Sequence, residues 1–334
     1  MRNKEVDLCR LICSLFVVSI HTDLMIEFQG VYIFAQTIAR TAVPFFLTVS
    51  GFYFCRAISH RTGKENETYI KYIKNLLRAY LVASSPYAAK WMIQNMTVGR
   101  GDNAVICAIW DGFSGHLWYF PASILGITIL YLILVKCRIL DRKVLLFLFA
   151  GNCYLICSVG SIYYHIIPHW IGVDELFESS FYIRFLRRVL YVIAYLFLGA
   201  ALQRSIDKLT GGVRGKKQLC ATIVLLSVVL IVEEYLTCLY GLNEEITWAF
   251  FYFPLLAVIC SSLFGHQFSF ARKISLDARN AAGFTYYYHI LVTMVLQKFL
   301  HNSVIVCVLT VATMLMINWF CQKRDIALYK WIMQ

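Results

Sequence analysis

Arg10 and His21 lie eleven residues apart in the first apolar stretch of the chain. At about 100° per residue, this spacing turns a helix about 20° beyond three full turns, so both side chains share one stripe, about 16 Å apart along the axis. An imidazole accepts a proton from a hydroxyl or thiol near neutral pH, and a guanidinium binds phosphate or carboxylate. Ionisable residues inside a membrane helix are costly and indicate a functional site by default. The alternative is an arginine that extends to the membrane surface and a buried, hydrogen-bonded histidine.

The composition is that of a membrane protein. Of the 334 residues, 60% are hydrophobic and 15% are charged, whereas about a quarter of the residues of a soluble domain are charged. Many apolar runs reach the roughly 20 residues that a helix needs to cross a bilayer. We predict a single all-α membrane domain over residues 1–334 with about ten transmembrane helices. The predicted spans are 6–27, 34–57, 76–96, 116–136, 144–162, 185–204, 218–238, 247–267, 281–300 and 303–322.

The distribution of basic residues predicts the topology. With the N-terminus in the cytoplasm, the cytoplasmic segments hold 23 of the 31 lysines and arginines. This asymmetry follows the positive-inside rule and places both termini in the cytoplasm. It also accounts for the net charge of +12, so membrane lipid is an expected partner and nucleic acid is not. The 12 cysteines include no Cys-x-x-Cys spacing, and no metal site is predicted.

The second span contains several polar and small residues. Arg40 lies about one turn inside its outer end, and Pro44 is expected to free a backbone carbonyl in the middle of the run. Ser50 and Gly51 allow another helix to approach closely. The alternative for Arg40 is a position at the membrane surface, and for Ser50 and Gly51 it is a role in packing alone.

The fourth span begins with His116, Trp118 and Tyr119. Tryptophan and tyrosine at the start of a span usually form the aromatic belt at the membrane surface, which is the interpretation that the spacing favours. His116 is a candidate for the outer mouth of a site. The outer loop that precedes this span, residues 97–115, is long enough to line a site or to be a plain connection.

Two further groups of residues lie in later spans. Arg187 and Arg188 stand at an outer boundary, against the charge trend, which indicates a bound anion or a polar cavity. Acidic residues in the preceding loop, 163–184, are an alternative source of neutralisation. His289 lies in the middle of the ninth span, with Thr285 one turn before it. A second buried histidine favours a polar cavity, although a lone histidine is more often a hydrogen-bonded core residue.

Four motifs in this order resemble those of acyltransferase family 3, a family of integral-membrane enzymes. They are Arg10-x10-His21, Arg40 with Pro44-Phe45-Phe46-x3-Ser50-Gly51-Phe52, His116-Leu117-Trp118-Tyr119, and Phe284-x3-Tyr288-His289. The last is shifted from the family's F-x3-Y-x-x-H pattern, whose two-residue spacing before the histidine is provided by Tyr286 and His289. The resemblance extends from residue 5 to about residue 320. Ala42-Val43-Pro44 replaces the acidic residue usual in the second motif. This variant is similar to a branch in Gram-positive bacteria that includes the membrane half of serine racemases linked to glycopeptide resistance.

The resemblance implies an enzyme of the bacterial cytoplasmic membrane that O-acylates a cell-surface polysaccharide or glycolipid. The acyl group, such as acetyl, would come from cytoplasmic acyl-CoA (acetyl-CoA) as a donor substrate, with no permanently bound cofactor. Arg10 would guide the donor, and His21 would act as general base or as acyl carrier. The resemblance also implies a set of residues that bind the acyl-CoA or the acceptor: Arg40, Ser50, His116, Trp118, Arg187, Arg188, Tyr286 and His289.

The racemase-type resemblance leaves a second hypothesis open. The membrane domain would then be a transport module for a small amino acid such as L-serine. Uptake of L-serine without acyl-CoA would separate this hypothesis from acyl transfer.

Overall fold

The computed structural model describes residues 3–98, 112–137, 142–159, 163, 181–211, 216–240, 249–265 and 277–333, which contain helices and turns and no strand. Residues 99–111 and 164–180, most of the two long outer loops, lie outside the described residues. A 3₁₀ turn, Gly115–Trp118, precedes the fifth α-helix, and a π-helical turn, Leu132–Lys136, extends it. The α-helices are α1 (Lys4–His21), α2 (Gln29–Ala39), α3 (Ala42–Ser59), α4 (Glu65–Val98), α5 (Tyr119–Tyr131), α6 (Lys143–Val159), α7 (Phe181–Gly211), α8 (Lys216–Leu239), α9 (Tyr252–Phe264), α10 (Ala278–Leu296), α11 (Ser303–Lys323) and α12 (Ala327–Met333).

Helix α7 is the centre of the bundle. Between Val189 and Leu202 nearly every residue is buried, whichever side of the helix it occupies. A helix that is hydrophobic on all sides is stable only in an interior. It packs against α3, α5, α6 and α9, whereas α1 packs against α3 and α10. Helix α3 therefore connects the central helix to the pair formed by α1 and α10.

Helices α8 and α11 expose long apolar side chains. The exposed residues include Val224, Leu225, Val228 and Val232 on α8, and Val308, Met316 and Phe320 on α11. Apolar faces of this extent are unfavourable in water and are typical of contact with lipid. Among the described residues, five segments are long and apolar enough to cross a membrane: Gln29–Ser59, Gly115–Lys136, Phe185–Ser205, Lys217–Leu239 and Ser303–Lys323.

Every predicted span overlaps a helix of the structure. Helices α6 and α9 are shorter apolar helices, and α1 carries four charged residues in its first two turns. The described part of the chain is all-helical, and the chain is a multi-pass membrane protein. The number of ten spans and the cytoplasmic position of both termini stay predictions.

The structure corrects the boundaries of the first three spans. The first helix ends at His21 instead of residue 27, and Asp23 and Met25 then turn the chain with positive φ angles of 48° and 66°. The predicted second span is interrupted, because α2 ends before Arg40 and α3 begins after Thr41. The third predicted span, 76–96, is part of a longer helix, α4, of 34 residues.

Pro44 lies in the first turn of α3, where the missing N–H removes no hydrogen bond from that helix. The carbonyl group four residues earlier belongs to Arg40, so the carbonyl that Pro44 leaves without a helical partner lies at the break between α2 and α3.

Two glycines bring α3 and α7 into backbone contact. A Cβ atom on Gly51 would lie 2.0 Å from the carbonyl oxygen of Leu196, and one on Gly199 would lie 2.0 Å from that of Thr48. Only glycine permits this approach, because any side chain would collide with the neighbouring backbone. The predicted close approach at Gly51 is confirmed.

Candidate active site

Three histidine rings meet at the end of α1. His21 is the last residue of that helix, His116 lies in the 3₁₀ turn before α5, and His289 is in the middle of α10. The ring centroids are 5.9 Å apart for His21 and His116, 5.3 Å for His21 and His289, and 5.1 Å for His116 and His289. These three residues are the histidine cluster. The sequence predicted each of them separately, and the packing of α1 on α10 brings them together.

The three rings differ in their exposure to the surroundings. His289 is fully buried and His116 is 4% exposed, whereas His21 is partly exposed. His116 therefore lies inside the bundle and not at an outer mouth. Among the described residues, no group of histidine, cysteine, aspartate and glutamate side chains could hold a metal ion. The arrangement is suited to proton transfer or nucleophilic attack by His21, the ring that a substrate can reach.

Hydrogen bonds fix two of the three rings. Nδ1 of His289 lies 3.0 Å from the carbonyl oxygen of Thr285 and 3.1 Å from that of Tyr286. Nδ1 of His116 lies 2.9 Å from the Ser114 hydroxyl oxygen, and its Nε2 lies 3.4 Å from a backbone carbonyl of α10. These partners hold the two rings against α10 and the 3₁₀ turn.

Arg40 provides positive charge beside the histidine cluster. It occupies the break between α2 and α3, and its guanidinium is close enough to His21 to act on it electrostatically. Its Nε atom is buried without a hydrogen-bond partner among the described residues. A fixed cation at this position can stabilise an oxyanion that develops next to His21.

A cavity of about 410 Å³ is lined by three arginines. Arg10 belongs to α1, Arg78 to α4 and Arg279 to α10, and no aspartate or glutamate is among the described lining residues. This arginine cavity falls within the range of about 300–1,000 Å³ that is typical of small-molecule sites. Because guanidinium groups form paired hydrogen bonds with phosphate and carboxylate oxygens, the cavity suits an anionic ligand.

Arg10 is held in the arginine cavity by its neighbours. Its Nη1 atom lies 3.5 Å from Oδ1 of Asp7, and its guanidinium carbon lies 5.7 Å from the centre of the Tyr53 ring. Arg279 is close enough to repel it electrostatically. A second guanidinium, that of Arg279, therefore lies beside the Arg10–Asp7 pair.

Aromatic rings separate the arginine cavity from the histidine cluster. Tyr286 lines the cavity, and its hydroxyl donates to the backbone carbonyl of His116 at 2.7 Å. Phe46 and Tyr119 also line the cavity, with ring centroids 5.9 and 5.8 Å from Tyr286. The hydroxyl groups of Ser50 and Tyr119 are 3.4 Å apart. The aromatic-belt interpretation is therefore wrong for Tyr119, which faces the cavity.

Three residues with a predicted binding role lie elsewhere. The Arg188 guanidinium is 5.5 Å from the centre of the Trp118 ring, which in turn contacts Tyr191. The backbone carbonyl of Arg187 accepts a hydrogen bond from the Cys157 thiol at 3.4 Å. Trp118, Arg187 and Arg188 are not among the described lining residues of the arginine cavity. The acidic residues predicted to neutralise the two arginines lie outside the described residues.

Sequence reasoning did not single out Arg78 and Arg279, which appeared only as charges of the cytoplasmic segments. It also did not predict that α12 belongs to a site, although Ile332 and Met333 of this helix line the arginine cavity. Arg78 donates to the backbone carbonyl of Trp331, and its guanidinium lies 5.0 Å from the centre of that ring. The one available signal was the charge asymmetry, which identifies a face of the membrane and not a cavity.

A family model described as an acyltransferase domain matches residues 3–320. Among curated proteins, the chain is 28% identical over 221 residues to a serine/alanine racemase of Enterococcus gallinarum, covering 62% of this chain and 30% of the racemase. It is 32% identical over 169 residues to an amino-acid racemase of Enterococcus faecalis, covering 48% and 22% of the two chains. The chain thus spans less than a third of the length of these relatives. No solved structure matches it significantly.

Proposed function

The chain belongs to acyltransferase family 3, and on that premise we propose that it is a membrane O-acyltransferase. It moves an acyl group such as acetyl from cytoplasmic acyl-CoA to a hydroxyl of a cell-surface carbohydrate, and it works in the bacterial cytoplasmic membrane. The family match and the apolar helices support the membrane acyltransferase. The donor, the acyl group and the acceptor are part of the proposal.

The observation that carries the proposal is the position of the two ends of α1. Arg10 lies in the arginine cavity, and His21, three helical turns later, lies in the histidine cluster. A donor with phosphates at one end and a reactive thioester at the other has matching partners at these two places. Tyr286 touches both regions, so the path between them crosses one layer of aromatic rings.

Each region has its own part in the proposed reaction. The arginines Arg10, Arg78 and Arg279 bind the phosphates or the pantetheine arm of acyl-CoA. His21 either takes the proton of the acceptor hydroxyl while its oxygen attacks the thioester carbon, or carries the acyl group in a covalent intermediate. In both cases negative charge develops on the carbonyl oxygen, where Arg40 can stabilise it. The thiolate of CoA leaves with a proton.

The test is to incubate the purified protein with acetyl-CoA labelled in the acetyl group and with envelope glycan extracted from the host bacterium. We expect label in the glycan, released by mild base as an ester would be. A reaction without glycan measures hydrolysis of the donor alone. Label that never enters the glycan fraction, at any donor concentration, would contradict the proposal.

The names of the relatives favour a second candidate. Two of them are a serine/alanine racemase and an amino-acid racemase, and this chain matches only part of each. The membrane domain would then move a small amino acid such as L-serine across the membrane. Proteoliposomes that contain the protein and no acyl-CoA should accumulate labelled L-serine if this candidate is right. Donor consumption without any uptake would reject it.

A further inference from the structure

His289 is the ring of the histidine cluster whose hydrogen-bonding state the structure determines most closely. Its Nδ1 atom faces two carbonyl oxygens, of Thr285 and Tyr286, at 3.0 and 3.1 Å. Carbonyl oxygens only accept hydrogen bonds, so Nδ1 of the neutral ring carries the hydrogen. Its Nε2 atom therefore carries the lone pair and can only accept.

That lone pair has no partner in the described part of the chain. Nε2 of His289 is buried and makes no hydrogen bond with any described residue, and the whole side chain has no exposed surface. Buried polar atoms almost always have a partner, and one without a partner costs free energy. A histidine with only a packing role would be expected to satisfy both nitrogens. The unsatisfied nitrogen indicates that a hydrogen-bond donor contacts it at some stage while the protein functions.

The possible donor within the cluster is His21. His116 has partners at both of its nitrogens, Ser114 and a backbone carbonyl of α10. The ring centroids of His21 and His289 are 5.3 Å apart, with an angle of 37° between the ring planes. A linear N–H···N bond of about 3 Å between two imidazoles gives a centroid distance of about 5 Å. The two rings are therefore already at the separation of a hydrogen-bonded pair, so the bond does not require the helices to come closer.

We propose that His289 is a positioning residue whose Nε2 accepts a hydrogen bond from His21 and thereby sets which His21 nitrogen faces the substrate. A ring that donates from one nitrogen keeps its lone pair on the other, so the bond fixes the reactive tautomer. His21 needs that lone pair whether it acts as general base or as acyl carrier. The difference in burial agrees with these two roles. His21 is partly exposed and faces the substrate, whereas His289 is fully buried and lies behind His21. The inference rests on the proposed function for its consequence in catalysis, but not for the hydrogen bond itself.

The first test is nuclear magnetic resonance of the full chain in detergent, with ¹⁵N-labelled histidine. The His21 signals are identified by their loss in His21→Ala. In the wild-type protein we expect one neutral tautomer of His21 and a ¹⁵N–¹⁵N coupling across the hydrogen bond to His289. A mixture of His21 tautomers without this coupling would overturn the inference, and this measurement needs no variant at position 289.

Two variants of His289 separate its nitrogens. His289→Asn keeps a donor near the position of Nδ1 and removes the acceptor at the position of Nε2, whereas His289→Gln keeps an acceptor near Nε2. We expect His21 to lose its single tautomer in the asparagine variant and to retain it in the glutamine variant. Acyl transfer should fall by about 10- to 100-fold in kcat in the asparagine variant, with little change in KM, and should recover in part in the glutamine variant. His60→Gln, at an exposed histidine after α3, is the control.

The outcomes distinguish this inference from the proposed function. If His21 keeps its tautomer in His289→Asn, the inference is wrong even when the wild-type protein transfers acyl groups. If the tautomer depends on residue 289 and no acyl group is transferred to any acceptor, the proposed function is wrong and the positioning role stands. If both His289 variants lose kcat equally while the His21 signals are unchanged, His289 has a structural role only, which also overturns the inference.

Discussion

The arginine cavity and the histidine cluster are built in opposite ways. The cavity is an open volume lined by residues of α1, α3, α4, α5, α10 and α12, and long flexible arginine side chains supply its charge. The cluster is a compact group of rings, two of them nearly or fully buried and hydrogen-bonded to nearby hydroxyl or carbonyl oxygens. Flexible cations can follow the phosphates of a large ligand, whereas proton transfer needs fixed geometry. In the proposed function, donor binding and chemistry are therefore assigned to two positions along one helix, α1.

The largest expected effect is that of His21→Ala. Removal of the ring should reduce acyl transfer by about 10²- to 10⁴-fold, since it removes the general base or the acyl carrier. Binding of acyl-CoA should be unchanged, because the arginine cavity lies at the other end of α1. Transfer assays and calorimetric titration with acyl-CoA measure the two effects. His301→Ala, at an exposed histidine, is the matched control. Full acyl transfer by His21→Ala would contradict separate roles for the histidine cluster and the arginine cavity.

The second prediction concerns the cavity alone. Arg279→Gln should raise KM for acyl-CoA about tenfold, which corresponds to about 1.4 kcal/mol of binding free energy, with a much smaller change in kcat. Arg324→Gln replaces an exposed arginine that follows α11 and is the matched control. Steady-state kinetics with varied donor measures both constants. A loss in kcat at unchanged KM would place Arg279 in the chemical step and would contradict a role of the arginine cavity in binding alone.

The third prediction addresses the boundary between the two regions. Tyr286→Phe removes the hydroxyl that donates to the carbonyl of His116 and leaves the ring that lines the cavity. Loss of one neutral hydrogen bond of about 1 kcal/mol should lower kcat about fivefold and leave KM for the donor unchanged. The same assay on Tyr288→Phe, whose hydroxyl donates at 3.3 Å to the carbonyl of Val82, controls for a general effect on α10. Equal losses in both variants would contradict a specific role.

The smallest effect is expected outside the membrane helices, in the turn between α1 and α2. Glu27 accepts hydrogen bonds from the backbone N–H of Ser303 at 3.2 Å and from its hydroxyl at 2.8 Å. A hydrogen bond from its own backbone N–H, together with the two bonds from Ser303, lowers the pKa of the Glu27 carboxyl below its ordinary value of 4.5. Because the folded-state pKa is the lower one, the stabilisation is present above pH 4.5 and is lost as the pH falls through the folded pKa.

Thermal unfolding followed between pH 6 and pH 3.5 tests this prediction. Wild-type protein should lose slightly more stability on acidification than Glu27→Gln, and acyl-CoA binding at the arginine cavity should not depend on the substitution. A larger loss of stability on acidification in Glu27→Gln than in the wild-type protein would contradict the prediction.

The sequence predicted the local features well, because they depend on helical periodicity. The spacing of Arg10 and His21 placed both on one helix, and α1 contains both. It did not predict the break at Arg40 and Thr41, although Pro44, four residues after Arg40, has no N–H for the Arg40 carbonyl and was the signal for it. Arg78 and Arg279 could not be assigned to one cavity, because their helices meet only through tertiary packing. For the same reason, three histidines predicted one by one were not recognised as one cluster.

The backbone contact at Gly51 and Gly199 has a consequence for conformational change. Helices α3 and α7 meet with the two glycines against backbone carbonyl groups and no side chain between them, so a rotation that brought a side chain into this contact would produce a collision. We therefore expect the two helices to move together. In the proposed function, the motion that lets the donor pass from the arginine cavity to His21 is then expected in α10, which carries Tyr286, or in α1. Relaxation measurements on a millisecond timescale should find exchange broadening in those two helices and little in α3 and α7.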